Sequence, residues 1–396
     1  MLRLTAEFRR DRSTWLAYIM LGYFAYTQAA LGPIMPFLRA ELKIGYTVGA
    51  LHLSAFAVGM IAVGLFGDRI AERRGRAWMY WTGSTGMAVA GVLFIVAPSV
   101  LLTVFSALVM GVMGTMLLVV IPAVLSDRHG GARAVALTES NLVAGLCAGL
   151  PPLAIGVFAT IGLGWRPVLL LPAAALVVIA LNFRHEPTPN PIAVAGRADG
   201  RVAPLPPAYW LYWGLMVAGI SLEWCMVAWG ADFLENAAGF SRVTASTLMS
   251  VFFAAIVLGR AVGSRLTRAL PGRTVLLCAV LTTLAGFPIF WLAPGRALTV
   301  LGLFVTGLGI ANLFPLAVSA GVETAPDRAD AAASRAALAA GTAILTAPLA
   351  LGWTADRVGI GAALGAALLL AVASLFLLLL ANRSAAPQTP SPFPAE

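Results

Sequence analysis

Apolar runs of about 20 residues, separated by short charged clusters, recur along this chain. A run of that length crosses the hydrocarbon core of a bilayer as an α-helix. Only 11% of the 396 residues are charged, whereas a soluble domain carries about 25%. Lipid offers no hydrogen bonds to the backbone, so such segments form helices or closed barrels, and the short alternating strands of a barrel are absent. The sequence therefore predicts an all-α membrane protein.

The apolar runs indicate twelve spans. They run through residues 15–38, 47–70, 77–97, 100–126, 132–160, 166–184, 208–234, 243–267, 273–293, 297–321, 331–355 and 360–382. Nineteen of the 26 Lys and Arg residues fall on the side that holds both termini, six fall on the other side, and Arg260 lies within a span. Cytoplasmic loops are enriched in Lys and Arg. We therefore predict that both termini are cytoplasmic and that the chain lies in a bacterial-type inner membrane.

A polar connection rich in Pro and Gly divides the twelve spans into two groups of six. The predicted organisation is a cytoplasmic N-terminus (1–14), a six-helix bundle (15–184), a cytoplasmic linker (185–207), a second six-helix bundle (208–382) and a disordered cytoplasmic tail (383–396). Landmarks recur between the halves at an offset of 196 residues, namely Phe37-Leu38 with Phe233-Leu234, Gly145 with Gly341, Pro152 with Pro348 and Gly156 with Gly352. These landmarks predict two pseudo-symmetric bundles. Parallel repeats of this kind are typical of transporters with a solute site between the halves.

The loop between spans two and three carries a specific motif. It reads Gly64-Leu65-Phe66-Gly67-Asp68-Arg69 with Gly75-Arg76 after it, and a degenerate copy, Gly263-Ser264-Arg265 with Gly272-Arg273, lies in the second half. With twelve spans in two halves, this loop resembles the major facilitator superfamily over residues 15–382. The resemblance implies a secondary transporter that alternates between inward-open and outward-open states. Span four lacks the Arg usual in the drug/proton antiporter branch, and span five matches that branch's Gly/Pro signature only in part.

Two acidic residues are candidates for proton coupling. Glu223 lies near the middle of span seven, and Glu139 lies within span five. A lone acid at mid-bilayer costs roughly 2.5–3.5 kcal/mol on insertion scales, so it rarely faces lipid. Burial favours the protonated carboxyl, which suits a proton carrier. The alternative is a structural hydrogen bond between helices.

Polar and aromatic residues at similar depth are candidates to line a solute cavity. Thr27 is the counterpart of Glu223 at the 196-residue offset. The predicted cavity residues are Tyr26, Thr27, Gln28, Trp224, Trp229 and Asn312. For the two tryptophans, packing against a neighbouring helix is an equal alternative.

Charged residues at the cytoplasmic ends of the spans are candidates for gating. The predicted set is Asp68, Arg69, Arg73, Arg76, Arg260 and Arg265. Spans five and eight are neighbours across the halves in the superfamily, so the resemblance makes Glu139 with Arg260 a candidate gate pair. The alternatives are hydrated topology anchors and snorkelling side chains. Asp232 and Glu235, at the outer end of span seven, are expected to be solvated.

The absence of certain sequence motifs and the distribution of charge narrow the possible classes of function. No phosphate-binding loop of the Gly-x4-Gly-Lys-Ser/Thr type and no metal-ligand spacing of His or Cys is present. We therefore predict no enzyme activity, no cofactor and no metal site. The net charge of +9 lies in short loops rather than on a continuous basic face, so no nucleic-acid partner is expected. The predicted partners are a small solute, protons and the lipid bilayer, and a monomer is expected.

The primary hypothesis is a proton-coupled transporter. No Lys or Arg lies at the depth of Glu223 in the sequence, so a neutral or cationic organic solute fits better than an anionic one. Proton-driven drug or metabolite efflux is the alternative within transport. A non-transporting membrane receptor and a lipid flippase are the alternatives from other classes.

Overall fold

The computed structural model describes residues 8–186 and 205–384, and all the regular structure in those residues is helical. The helices of the first half are α1 (Arg12–Leu42), α2 (Tyr46–Arg74), α3 (Arg76–Val96), α4 (Val100–His129), α5 (Arg133–Ala148), α6 (Leu150–Thr160) and α7 (Pro167–Phe183). Those of the second half are α8 (Pro207–Asn236), α9 (Arg242–Leu266), α10 (Gly272–Leu292), α11 (Arg296–Ile310), α12 (Leu313–Glu323), α13 (Ala329–Val358), α14 (Ile360–Leu364) and α15 (Ala366–Ser384).

The fifteen helices form the twelve predicted spans, since three of the spans are each divided into two helices. The breaks fall at Gly149 between α5 and α6, at Asn312 between α11 and α12, and at Gly365 between α14 and α15. Nine helical segments of the described chain are long and apolar enough to cross a membrane, and one of them, 100–160, contains two spans. An all-helical membrane protein is thereby confirmed. We call the side with the start of α1 and the end of α15 the terminal face, and the other side the opposite face.

Helix ends recur at the offset read from the sequence. Helices α2 and α9 begin 196 residues apart, as do α4 and α11, and both ends of α3 and α10 differ by 196. This agreement is what a doubled unit would give. Most of the predicted linker (187–204), part of the predicted N-terminus (1–7) and most of the predicted tail (385–396) lie outside the described residues.

Ion pairs hold the first half together at the terminal face. Arg10 binds Glu139 with Nη2–Oε1 at 2.6 Å, and Asp11 caps α1 while pairing with Arg128 of α4. Partial burial acts to raise the pKa of Asp11, but hydrogen bonds from Arg128 and Thr14 outweigh it and lower the pKa to about 2. The stabilisation from Asp11 is therefore present above its unfolded pKa of about 3.9 and is lost as pH falls through about 2.

The two halves meet along a seam that covers the half of the molecule towards the opposite face. On α1, Gly32 lies directly against the backbone carbonyl of Val227 on α8. On α2, Ser54 Oγ donates a hydrogen bond of 3.0 Å to the carbonyl of Leu345 on α13. Gly156 of α6 packs on α9 in the same zone. Small residues at these points let the helix backbones approach closely.

The seam ends near the middle of the molecule. Near this boundary Ile61 contacts Gly341 and Gly145 contacts Val257. Towards the terminal face from these contacts, large apolar side chains on the facing helices are exposed, namely Leu142, Leu258, Val262 and Leu338. The halves are therefore closed together at the opposite face and separated at the terminal face.

A side chain at Gly32 should prevent this closure. Gly32→Val places methyl groups where the carbonyl of Val227 lies, and such overpacking costs about 1–3 kcal/mol. We expect a thiol introduced as Thr47→Cys, at the seam's outer end, to react roughly tenfold or more faster in this variant. The rate of maleimide labelling in a chain free of native cysteines measures this.

The matched control is Gly91→Ala within the first half. A Cβ at Gly91 meets only the carbonyl of Leu169, at 3.7 Å, an ordinary contact. This variant should label at the unmodified rate. Equal labelling of the Gly32→Val and unmodified proteins would contradict the closed seam.

Candidate functional site

Helix α8 carries two acids at different depths of the molecule. Glu223 and Asp232 are nine residues apart, which is about 14 Å along a helix axis. Helix α8 packs against α1 of the other half and against α9, α12, α13 and α15 of its own half. Its side chains therefore reach both the seam and the gap between the halves.

Glu223 lies at the boundary between the closed seam and the gap that separates the halves at the terminal face. Its neighbour Trp224 packs against a small apolar cluster in which Ala57 of the first half contacts Ile220 and Ile344 of the second. The Glu223 side chain is half-buried and forms no hydrogen bond or ion pair with another described residue. Arg260 of α9 interacts with it electrostatically, without an ion-pair contact. Its proton-coupling role stays a prediction.

The surroundings of Glu223 are mostly apolar and aromatic. Phe314 of α12 packs against the same cluster as Trp224. From the first half, Gln28 is half-buried, and its Nε2 lies 3.6 Å from the sulfur of Met60. Gln28, Glu223 and Trp224 are thus the predicted residues that remain available to a solute between the halves.

The other predicted cavity residues are engaged within their own halves. The hydrogen bonds are Tyr26 Oη to Val168 O at 3.0 Å, Thr27 Oγ1 to Tyr23 O at 2.8 Å, Trp229 Nε1 to Pro348 O at 2.9 Å and Asn312 Nδ2 to Gly259 O at 2.7 Å. Trp229 is also fully buried. The bonds of Tyr26, Trp229 and Asn312 join two helices of one half, and the Thr27 bond lies within α1.

A set of polar contacts that we call the latch joins the halves at the opposite face. Arg39 of α1 forms an ion pair with Asp232 of α8, and its guanidinium lies 3.4 Å from the ring centroid of Tyr46 on α2. Asp232 is 1% exposed. Breaking a buried pair by removing one partner costs about 3–5 kcal/mol, so the Arg39–Asp232 pair strongly favours closure of this face.

Asp356 of α13 supplies the second part of the latch. Its carboxylate accepts hydrogen bonds from the backbone N–H groups of Tyr46 at 2.7 Å and Thr47 at 2.8 Å. These donors are the unpaired N–H groups at the start of α2, where the helix dipole favours a negative charge. The second half therefore caps a helix of the first.

The structure corrects the expectation that Asp232 and Glu235 are simply solvated. Asp232 is buried because α1 packs across α8, and Glu235 pairs with Arg242 at 2.9 Å. A cavity of about 140 Å³ lies beside them, lined in part by Arg39 and Tyr46. Water entering from the opposite face could reach the latch through this cavity.

Residues of the latch have equivalents in the repeat that also contact one another. The 196-residue offset relates Arg39 to Glu235 and Tyr46 to Arg242. In the structure, Arg39 contacts Tyr46 and Glu235 contacts Arg242. These equivalent contacts each lie within one half, so the repeat does not by itself indicate the contact of Arg39 with Asp232 between the halves.

The predicted gate pair is not formed in this conformation. Glu139 faces α1, where Arg10 binds both its oxygens at 2.6 and 2.8 Å and the Tyr18 hydroxyl donates at 3.1 Å. Arg260 is exposed and lies near Glu223 instead. Glu139 and Arg260 therefore form no pair in this state, and the gate pair stays a prediction for the state in which the terminal face is closed.

The other predicted gating residues lie at the terminal face. Arg76 pairs with Asp127 at 2.5 Å within the first half. Arg69, Arg73 and Arg265 are exposed and form no ion pair with a described residue. The side chain of Asp68 is outside the described part of the chain. Because the halves are apart here, this conformation leaves the gating role a prediction.

Loss of the Asp232 charge should weaken the closed state. Asp232→Asn leaves the partly buried Arg39 without its counter-ion. We therefore expect the free energy of unfolding to fall by about 3–5 kcal/mol if the seam stays closed, with a lower unfolding temperature. The double substitution Arg39→Leu with Asp232→Leu should recover most of this loss, because it removes both buried charges. Thermal unfolding in detergent measures both effects.

The matched control is the exposed pair of Glu41 and Arg166 on the same face. Its side chains are 40% and 51% exposed, so Glu41→Gln should change the stability by less than about 1 kcal/mol. An Asp232→Asn protein no less stable than the Glu41→Gln protein would contradict the latch.

Comparison with known proteins gives a family match over most of the chain. The model of the family described as Major Facilitator Superfamily matches residues 14–334. The chain is also similar to an uncharacterised MFS-type transporter from Yersinia pestis. The two are 27% identical over 371 residues, which cover 91% of this chain and 94% of that protein.

Solved structures share the fold at low sequence identity. A bacterial homologue of the human lysosomal transporter Spinster, in an inward-facing and unoccupied conformation, is 14% identical with a TM-score of 0.74 over 95% of this chain and 97% of that one. The nucleoside transporter NupG is 14% identical with a TM-score of 0.72 over 94% and 99% of the two chains. At these identities the likeness extends to the fold and not to the solute.

Proposed function

Since this chain belongs to the major facilitator superfamily, we propose that it moves a small neutral or cationic organic solute across a bacterial-type inner membrane by proton-coupled alternating access. The family makes it a multi-pass membrane protein and a secondary transporter rather than an enzyme. The resemblance read from the sequence is confirmed. The solute, the coupling and the orientation are proposals that rest on the arguments below.

One observation supports the proposal most strongly, namely the seam that is closed at the opposite face and open at the terminal face. Arg residues are concentrated on the terminal face, so we place it in the cytoplasm. The conformation then corresponds to an inward-open state, with the latch as the closed outer gate. Two parallel six-helix bundles, 15–184 and 208–382, would rock about the solute site to reach the other state.

We assign proton coupling to Glu223. The gap from the terminal face reaches this half-buried carboxyl, and Arg260 attracts its ionised form from a distance. Closure of the halves around Glu223 would remove water and favour the protonated form. A protonation state that differs between two conformations is what couples a proton gradient to their equilibrium.

The solute class follows from the charges near Glu223. Arg260 is the cation that acts on this acid among the described residues, and the nearby side chains of Trp224 and Phe314 are aromatic. An anionic solute would need further cations to replace its hydration. A neutral or cationic solute with an apolar body suits this lining, and cationic groups also gain from aromatic faces.

Gating at the terminal face is assigned to the cluster of Asp68, Arg69, Arg73 and Arg76 with Arg265 of the second half. These residues would come together when the terminal face closes and the latch opens. Glu139 with Arg260 is the proposed companion pair in that state. Breaking the Arg10–Glu139 pair would then accompany closure.

Glu223→Gln should separate exchange from coupling. The amide resembles the protonated carboxyl, so counterflow of solute is expected to continue while accumulation driven by a pH gradient falls to the level of protein-free vesicles. The measurement is proton release from acid-loaded proteoliposomes with a pH-sensitive dye, across a panel of neutral and cationic organic solutes. Counterflow of the solute that gives the largest signal is then measured.

Glu323→Gln is the matched control, because Glu323 is an exposed acid at the terminal end of α12. It should leave both gradient-driven flux and counterflow unchanged. Gradient-driven flux at the unmodified rate in Glu223→Gln would move the coupling site elsewhere, with Glu139 next in line.

Proton-driven efflux of drugs or metabolites is the second candidate, favoured by the aromatic side chains beside a single acid. Everted membrane vesicles separate the two functions. Accumulation of lipophilic cations in everted vesicles on energisation would indicate efflux. Its absence, together with proton-coupled uptake in right-side-out vesicles, would support symport.

A further inference from the structure

A cleft of about 440 Å³ opens at the terminal end of the first half, away from the site between the halves. Its walls are Phe66, Arg69, Ile70, Arg73 and Arg74 of α2 with Trp78 of α3. The buried Met116 of α4 forms part of its floor. We call this the arginine cleft. Two of its residues, Arg69 and Arg73, also belong to the proposed terminal gate, but the cleft itself lies outside the proposed solute site.

The arginine cleft continues an exposed apolar stripe of α2. Leu51, Val58 and Leu65 are exposed and lie seven residues apart, so they share one helix face. This stripe runs beside the surface of α2 that meets α13, which includes Ser54 and Ile61. Arg69 follows Leu65 by one turn, so the cleft extends this exposed stripe towards water.

Helix α3 brings a second stripe to the same place. Its exposed apolar residues Val89, Val92 and Val96 recur at helical spacing, and Trp78 lies on that face nearest the terminal face. Trp is enriched where membrane meets water. Two stripes that could contact acyl chains therefore converge on a group of three guanidinium ions.

Among the described side chains, no acid pairs with these guanidinium ions. Arg69, Arg73 and Arg74 form no ion pair with a described residue, and Arg74 stacks over the Trp78 ring at 5.4 Å. Glu72, in the same turn, is exposed and likewise unpaired among the described residues. By contrast, Arg76 two residues further on is paired with Asp127. Arg groups bind phosphate oxygens through paired hydrogen bonds, so an anion would satisfy the cleft.

We propose that the arginine cleft binds the headgroup phosphate of an anionic phospholipid, whose acyl chains lie along the exposed stripes of α2 and α3. Charge complementarity, the cleft's volume and its position at the end of both stripes select this occupant. Basic pockets between membrane helices attract anionic lipid in this way. The inference does not depend on the transported solute or on proton coupling.

The test measures lipid retention by native mass spectrometry on the purified full-length protein, titrated with dioleoyl phosphatidylglycerol or dioleoyl phosphatidylcholine. The unmodified protein should retain phosphatidylglycerol roughly tenfold more strongly than phosphatidylcholine. The triple variant Arg69→Gln, Arg73→Gln and Arg74→Gln should lose that preference. A triple Arg→Lys variant at the same positions, which keeps the charge, should retain most of it.

The control is Arg265→Gln, Arg268→Gln and Arg273→Gln, an equal loss of charge at the terminal end of the second half. This variant should keep the preference for phosphatidylglycerol. Equal loss in both Gln variants would overturn the cleft as a site and indicate a general effect of charge. Displacement of the retained phosphatidylglycerol by millimolar inorganic phosphate would overturn the lipid assignment and indicate a site for free phosphate. Equal retention of both lipids by the unmodified protein would also overturn it.

Discussion

The ion pair of Arg39 and Asp232 is the interaction on which the observed conformation depends. A charge buried between helices is tolerated only beside its counter-ion, and Asp232 is almost completely buried. While the opposite face is closed, helices α1 and α8 of the two halves hold these charges together, and loss of either partner would leave the other charge without its counter-ion. Asp356 at the start of α2 adds a second tie of the same kind. Each tie breaks when the halves separate, so the seam has a closed and an open state rather than a continuum.

The terminal face differs from the opposite face, because its described ion pairs lie within one half and do not join the two halves. Its ion pairs, including Arg10 with Glu139 and Arg76 with Asp127, lie within the first half. They stiffen that half and leave the gap between the halves free. A half that moves as one body can transmit opening at one face into closing at the other. Glu223 lies at the boundary of the two zones, which is where a change of charge would influence both.

Much of the fold was predictable, because lipid permits little besides helices and the apolar runs mark them directly. The offset of 196 residues was also readable, since repeated Gly and Pro landmarks constrain backbones in both halves. The site was less predictable. Trp229 and Tyr26 looked like cavity residues by depth, but depth does not say which way a side chain points, and both donate hydrogen bonds inside their own halves. Asp232 looked solvated because the sequence cannot show that α1 covers it.

The most direct test of alternating access here is a pair of distances measured by double electron–electron resonance in bilayers. One pair of spin labels, at Leu163→Cys and Pro294→Cys, spans the opposite face, and another, at Gly131→Cys and Arg268→Cys, spans the terminal face. We expect the opposite-face distance to be short and the terminal-face distance to be long in the unmodified protein. In Asp232→Asn both should change together in opposite directions. Distances that stay the same in that variant, or that lengthen at both faces at once, would contradict alternating access.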